Sequence, residues 1–175
     1  AIDAQLMTKI KGNKIPGTSE LKKILRKIAL LQIDSVNVCV RAHYMPLYSR
    51  MGPYPQRIIE EAAYSTRDIF ETWAHESCFA PVDFFPVIRH RMTNRQPGKR
   101  VLSLMETNPG YLENVLNQVR AEGPIKASEL TDPGNRTGKW WGYSKGKIAL
   151  EWYFAKGVLG VSKRKNFTRY YDLIE

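Results

Sequence analysis

Residues 143–174 read YSKGKIALEWYFAKGVLGVSKRKNFTRYYDLI, and this stretch decides the fold. Tyr143 to Lys156 carries Ile148, Leu150, Trp152, Tyr153 and Phe154 and is stopped by Gly157, which predicts a helix. The following residues predict two strands joined through Lys163-Arg164-Lys165-Asn166, with Asn166 at the turn. Upstream, a helix with Leu112, Val115, Leu116 and Val119 ends at Glu122-Gly123-Pro124. Ile125 then begins a short strand with Lys126-Ala127, Ser128 to Leu130 opens a short helix, and Asp132 to Gly138 is a polar loop. Helix, short strand, helix, helix and hairpin is the order of a winged helix. That order puts Lys145 and Lys147 at the N-terminal turn of the helix that would meet bases. It puts Lys163, Arg164, Lys165 and Arg169 on a wing able to reach phosphates.

The first half of the chain is more mixed. Ile2, Leu6 and Ile10 predict a short helix ended by Lys11-Gly12-Asn13. Thr18 or Ser19 is expected to cap a second helix, with Leu21, Ile24, Leu25 and Ile28 on one face and Lys22, Lys23, Arg26 and Lys27 on the other. Gln32-Ile33-Asp34 follows as an extended link, and from Val36 the apolar residues crowd together. Gln56 to Tyr64 predicts a helix with Ile58, Ile59 and Ala62 inward; Asp68 to Ala80 looks extended; Val82 to Met92 is a further helix. Thr93 to Arg100 contains Pro97-Gly98 and no large apolar residue, which suits a linker. The expected class is mainly α with short β hairpins, an α+β fold of tandem winged-helix domains. Residues 1–92 would form the first, 93–100 the linker and 101–175 the second.

The chemistry concentrates near Leu30 to Gly52, LLQIDSVNVCVRAHYMPLYSRMG. Side chains at i and i+2 of an extended backbone project to the same side, so Gln32 and Asp34 can hold one water between a carboxamide and a carboxylate. That is a minimal outfit for hydrolysis. The alternative is local, with Asp34 or Ser35 capping the next helical stretch. The net charge is +10, but residues 31–88 hold four Lys/Arg against seven Asp/Glu, so the motif is locally acidic between basic segments. Basic flanks grip phosphates without base specificity, and nucleic acid is the expected substrate.

Two cysteines, Cys39 and Cys78, make no framework, and His43, His75 and His90 lack metal-ligand spacing, so no metal is expected. Both facts suit a reducing cytoplasm. No apolar run reaches eighteen residues and no signal-peptide pattern is present, so neither a membrane span nor export is expected. The chain begins with Ala1 and stops on Glu175 within a strand-like run, which is expected of a fragment of a longer protein.

LLQIDSVNV, RAHY, PLYSR, GPYP, FETWAHESCF, IRHRM, GKWWGY and KRKNFTRYYDL occur in that order over residues 19–175. Together they closely resemble the YcaQ-type bacterial DNA glycosylases of the AlkZ/AlkX group, a winged-helix DNA-binding family. The resemblance implies tandem winged helices followed by a C-terminal β-rich domain that this chain would lack. It implies removal of N7-alkylated guanine from double-stranded DNA, including bases joined in nitrogen-mustard-type interstrand crosslinks. Gln32-Ile33-Asp34 matches the Gln-x-Asp form of the family's catalytic element, that of the crosslink-active branch. No cofactor is implied, and a cytoplasmic, nucleoid-associated monomer is expected.

The chemistry fits these residues. N7 alkylation makes guanine cationic and already a good leaving group, so little general-acid help is needed. Asp34 would stabilise the oxocarbenium-like sugar and activate water, and Gln32 would hold that water through its carboxamide oxygen or nitrogen. No lysine lies near the motif to form a Schiff base, so a monofunctional enzyme is expected. Arg41 and Arg50 are candidate phosphate contacts or simple surface ion pairs. His43 and Tyr44 are candidates to line the DNA cleft or to pack the core. Trp73, His75 and Glu76 of the WAHE motif are assigned first to buried packing and second to the lesion site, and Trp140-Trp141 to packing of the second domain. The rivals are a non-catalytic winged-helix DNA binder or transcription regulator, and a protein-interaction winged helix.

Overall fold

The computed structural model describes residues 6–7, 15–135 and 142–174. The expected first helix around Ile2 and Ile10, and the Trp140-Trp141 pair, lie outside the described residues. The chain divides into two compact units, Ala1–Pro86 and Val87–Glu175. The fold is α+β: seven α-helices and small antiparallel sheets among the described residues.

In the first unit, α1 spans Thr18–Ile28. Its start is capped differently from expectation. Gly17 occupies the N-cap, and Glu20 reaches back to accept from the Gly17 N–H at 3.1 Å. Leu21, Ile24 and Leu25 are buried as the sequence pattern requires, each contributing roughly 1.5–3 kcal/mol. β1 (Leu31–Gln32) follows, then a 3₁₀ turn over Ala42–Tyr44 and α2 (Met45–Met51). α3 (Arg57–Glu60) widens into a π-helical turn over Glu61–Ser65, and Ile58, Ile59, Ala62 and Ala63 are buried. The extended, aromatic stretch is a hairpin of β2 (Ile69–Trp73) and β3 (Ser77–Pro81). The sheet order is β1-β3-β2, which makes β1 an edge strand. Its register pairs Leu31 with Phe79 and Gln32 with Cys78.

The apolar crowding expected from Val36 is not core. Val36 and Val38 are 62% and 88% exposed in a loop, and no helix begins at Asp34 or Ser35. Three short β-branched residues in this run sit between two anchored ends, so periodicity alone could not tell core from loop.

α4 spans Phe85–Thr93, and the division between units falls within it. In the second unit the structure adds a helix the sequence pattern did not announce, α5 (Lys99–Thr107), with Val101 and Leu104 buried. α6 (Tyr111–Glu122) is the expected helix around Val115 and Val119. Ile125 forms a one-residue antiparallel bridge to Tyr171. The expected helix at Ser128 shrinks to a 3₁₀ turn, Ala127–Glu129.

α7 (Lys145–Ala155) starts at Ser144, whose hydroxyl accepts from the Lys147 N–H. A Cβ at Gly146 would come within 2.7 Å of Leu130 Cδ1 and 3.1 Å of the Pro133 carbonyl oxygen, so the close approach of α7 to this loop favours glycine. The chain leaves α7 through Gly157 at φ +66°, and the Arg89 guanidinium donates to the Gly157 carbonyl. β4 (Leu159–Lys165) and β5 (Thr168–Leu173) then form the hairpin. Its turn residues are Asn166 and Phe167, both with positive φ: Asn166 is at the turn as expected, while Lys163, Arg164 and Lys165 extend β4 rather than belonging to the connection.

Candidate active site

The Gln32–Asp34 motif sits where β1 gives way to a loop. Leu31 and Ile33 are buried at 1% and 9%, whereas Gln32 is exposed and Asp34 half-exposed. This alternation follows from the extended backbone, which the Ile33 N–H extends past β1 by donating to the Ser77 carbonyl at 2.7 Å. The carboxamide and the carboxylate therefore leave the sheet on its open side.

Each polar residue of the motif has a histidine partner. His43, from the 3₁₀ turn before α2, is 5% exposed, and its Nδ1 accepts from the Asp34 N–H at 3.3 Å. His75, exposed at the tip of the β2–β3 hairpin, brings Nε2 within 3.2 Å of Gln32 Oε1. Asp34 Oδ1 accepts from the Val36 N–H at 2.8 Å, an Asx-type turn that fixes the carboxylate. Its other oxygen, Oδ2, takes no hydrogen bond among the described residues.

The flanking residues brace this arrangement. Arg41 donates from Nη1 to the Ser35 carbonyl at 2.8 Å and closes the base of the valine loop. Tyr44 stacks obliquely on His43, with ring centroids 4.3 Å apart, and its own carbonyl accepts from Tyr54 Oη. Burial, then Glu60, raises the Tyr44 phenol above its ordinary value, and burial raises that of Tyr54. Both therefore act as neutral hydroxyls. Arg50 is turned to its own helix, donating to the Pro46 carbonyl at 2.7 Å. Nearby, Glu71 is buried on β2 and accepts from Tyr64 Oη at 2.5 Å.

The basic residues expected to touch DNA in the second unit have diverse fates. Lys145 pairs with Asp132 at 2.5 Å and lies over the Tyr111 ring. Lys147 and Arg169 both converge on Glu151, at 2.7 and 2.8 Å, and Tyr171 Oη accepts from Lys147 and donates to the same carboxylate. Burial alone would raise the Glu151 carboxyl, but Arg169 and Lys147 outweigh it and hold it at about 2. Burial also pulls the Lys147 ammonium below its ordinary value, with Glu151 opposing. On the wing, Lys163 and Lys165 are exposed, while Arg164 folds over the Phe167 ring and donates to its carbonyl.

The structure thus gathers Gln32, Asp34, His43 and Arg41 in one place and adds His75. The sequence reading set His75 within one extended stretch, Asp68 to Ala80, and assigned it first to packing, without the hairpin that puts it at a tip. Its partner lies 43 residues away, which no local pattern encodes. A cleft of about 700 Å³ lies in the second unit among Arg100, Thr107, Asn108, Asp132 and Lys145, and includes none of the motif residues. Among the described residues no group of three His, Cys, Asp or Glu could hold a metal, and no helix is long and apolar enough to cross a membrane.

The chain belongs to the AlkZ-like DNA glycosylase family, whose model matches residues 25–175. That family makes it a DNA repair enzyme acting on a DNA substrate. No solved structure gives a significant match to the chain.

Proposed function

We propose that the protein hydrolyses the N-glycosidic bond of N7-alkylated guanine in duplex DNA, nitrogen-mustard-type crosslinks included, without lyase activity. Asp34 is the anion beside C1′ and takes the water proton; Gln32 positions the water. The observation that carries this reading is the alternation Leu31 in, Gln32 out, Ile33 in, Asp34 out at a sheet edge. The openness of the motif also suits a crosslinked base, which cannot be swung whole into a closed pocket.

Residues 1–92 and 101–175 are read as winged-helix modules with 93–100 as the linker, a division set a few residues after the Pro86/Val87 boundary of the compact units. Supporting the second is the order α6, the Ile125 bridge, the 3₁₀ turn, α7 and the β4–β5 hairpin. Lys163, Arg164 and Lys165 would meet phosphates. Lys145 joins them by exchanging a pairing with the 60%-exposed Asp132, worth at most about 1 kcal/mol, for a phosphate. Lys147 and Arg169 are committed to Glu151 and are not carried into the DNA surface. Arg41 would reach phosphate only from a loop it also closes.

The second reading, a non-catalytic DNA binder, draws on the Asp34 Oδ1 bond to the Val36 N–H, the bond of a structural turn. Incubating the protein with duplexes carrying either N7-methylguanine or a nitrogen-mustard crosslink separates the two. The catalytic reading expects free base from both, with no borohydride-trapped protein–DNA adduct. A trapped adduct would overturn the monofunctional assignment, and binding without release would favour the second reading.

A further inference from the structure

We propose that His75 is a positioning residue that decides which end of the Gln32 carboxamide faces the substrate. The inference rests on the reading of Gln32 and Asp34 given above. Gln32 is exposed, and an exposed glutamine samples several rotamers and both orientations of its amide plane. His75 Nε2 stands 3.2 Å from Oε1. With Oε1 facing it, Nε2 completes a hydrogen bond when it carries the proton, and the proposal assigns His75 this Nε2–H tautomer with the ring as donor.

The pairing is preorganised by the sheet. Cys78 of β3 is the register partner of both Gln32 and Thr72, and the Ser77 carbonyl accepts from the Ile33 N–H. The hairpin tip is itself tied by the Ala74 N–H donating to the Glu76 carbonyl at 2.9 Å. One ladder therefore fixes both backbones, and only the two side chains remain to be aligned.

Oxygen held toward His75 leaves the Gln32 NH₂ to face the reaction. The two motif residues then complement each other around one water: Gln32 donates to a lone pair of its oxygen, and Asp34 accepts one of its protons. In the step, a second oxygen lone pair forms the C1′–O bond while the C1′–N9 bond breaks. The electron pair of that bond passes to the cationic alkylated guanine, which leaves neutral, and the water proton ends on Asp34. A reversed amide would take the water's second proton instead of donating to its oxygen, and would no longer fix the direction of the attacking lone pair.

The test is base release from an N7-methylguanine duplex under single-turnover conditions, using the full chain and three variants. His75→Gln keeps an N–H donor at similar reach, His75→Phe removes it, and His75→Glu replaces it with an acceptor. The proposal expects His75→Gln within about threefold of the parent and His75→Phe about tenfold slower, the span of one hydrogen bond. His75→Glu should be slower again, and duplex affinity should hold within about twofold in all three, since no phosphate contact is lost. In a Gln32→Ala background, His75→Phe should add nothing. An equal further loss there, or His75→Glu matching His75→Gln, overturns the proposal. Parental rates for both Gln32→Ala and Asp34→Asn would instead sink the motif assignment, and this proposal with it. A measurement independent of turnover is the pair of His75 ring ¹⁵N shifts. Nε2 protonation that relaxes to a tautomer mixture in Gln32→Ala supports the pairing; shifts indifferent to Gln32 overturn it.

Discussion

Two polar clusters in this molecule contain similar residue types and are built to opposite ends. Around Glu151, one carboxylate takes bonds from Lys147, Arg169 and Tyr171, and Arg169 is only 8% exposed. Around Asp34, one carboxylate oxygen is fixed by a turn, and the histidines hold the backbone and the neighbouring amide rather than the carboxylate. The first cluster saturates its charges and fastens the hairpin to α7. The second is held in place from behind and left open in front. Position relative to saturated partners, more than residue type, separates structural charge from charge available for chemistry.

The contrast breaks most visibly at Glu151. Glu151→Ala leaves the buried Arg169 and the half-buried Lys147 without their carboxylate and should cost about 3–5 kcal/mol. Thermal unfolding would show it as a fall of about 10 °C for a chain of this size. A change below about 2 °C would mean that the cluster carries no net stability. The same group has a signed pH dependence. Its folded pKa of about 2 lies below the ordinary 4.5, so its contribution is present above pH 4.5 and is lost as pH falls toward 2. Urea midpoints measured from pH 6 to pH 2.5 should drop across that window, and Glu151→Gln should flatten the drop.

His43 gives a smaller effect on the other cluster. His43→Ala leaves the Asp34 N–H without its acceptor, at about 1–3 kcal/mol, and should slow base release by loosening the peptide that carries the carboxylate. His43→Asn retains an acceptor near the Nδ1 position and should recover part of both losses. Equal behaviour of the two variants would show that the ring matters by volume alone.

The wing gives the smallest change. Lys163→Ala with Lys165→Ala should weaken duplex binding severalfold and reduce the slope of log K against log salt by about 1.8 if both meet phosphates. An unchanged slope would move the DNA surface elsewhere.

Local chemistry made much of this fold legible. The face of α1, the helix–hairpin order of residues 143–174 and the outward alternation at Gln32 and Asp34 all follow from periods of 3.6 and 2. What the sequence hid was long-range. Lys147 and Glu151 are spaced i,i+4, a signal of pairing, yet Arg169 reaches the same carboxylate only once the wing has folded. His43, open in the sequence between cleft and core, is buried behind Asp34; His75, assigned first to packing and second to the lesion site, is exposed beside Gln32. Val36 and Val38 resembled core because apolar type carries no record of which side of a loop it occupies.

The measurement that bears most directly on this account is single-turnover release of N7-methylguanine from duplex DNA by the parent chain and by Asp34→Asn. The account predicts release by the parent and a loss of about 10²–10⁴-fold in Asp34→Asn, with the unfolding temperature retained. Equal rates in the two proteins, or duplex binding with no release by either, would contradict it.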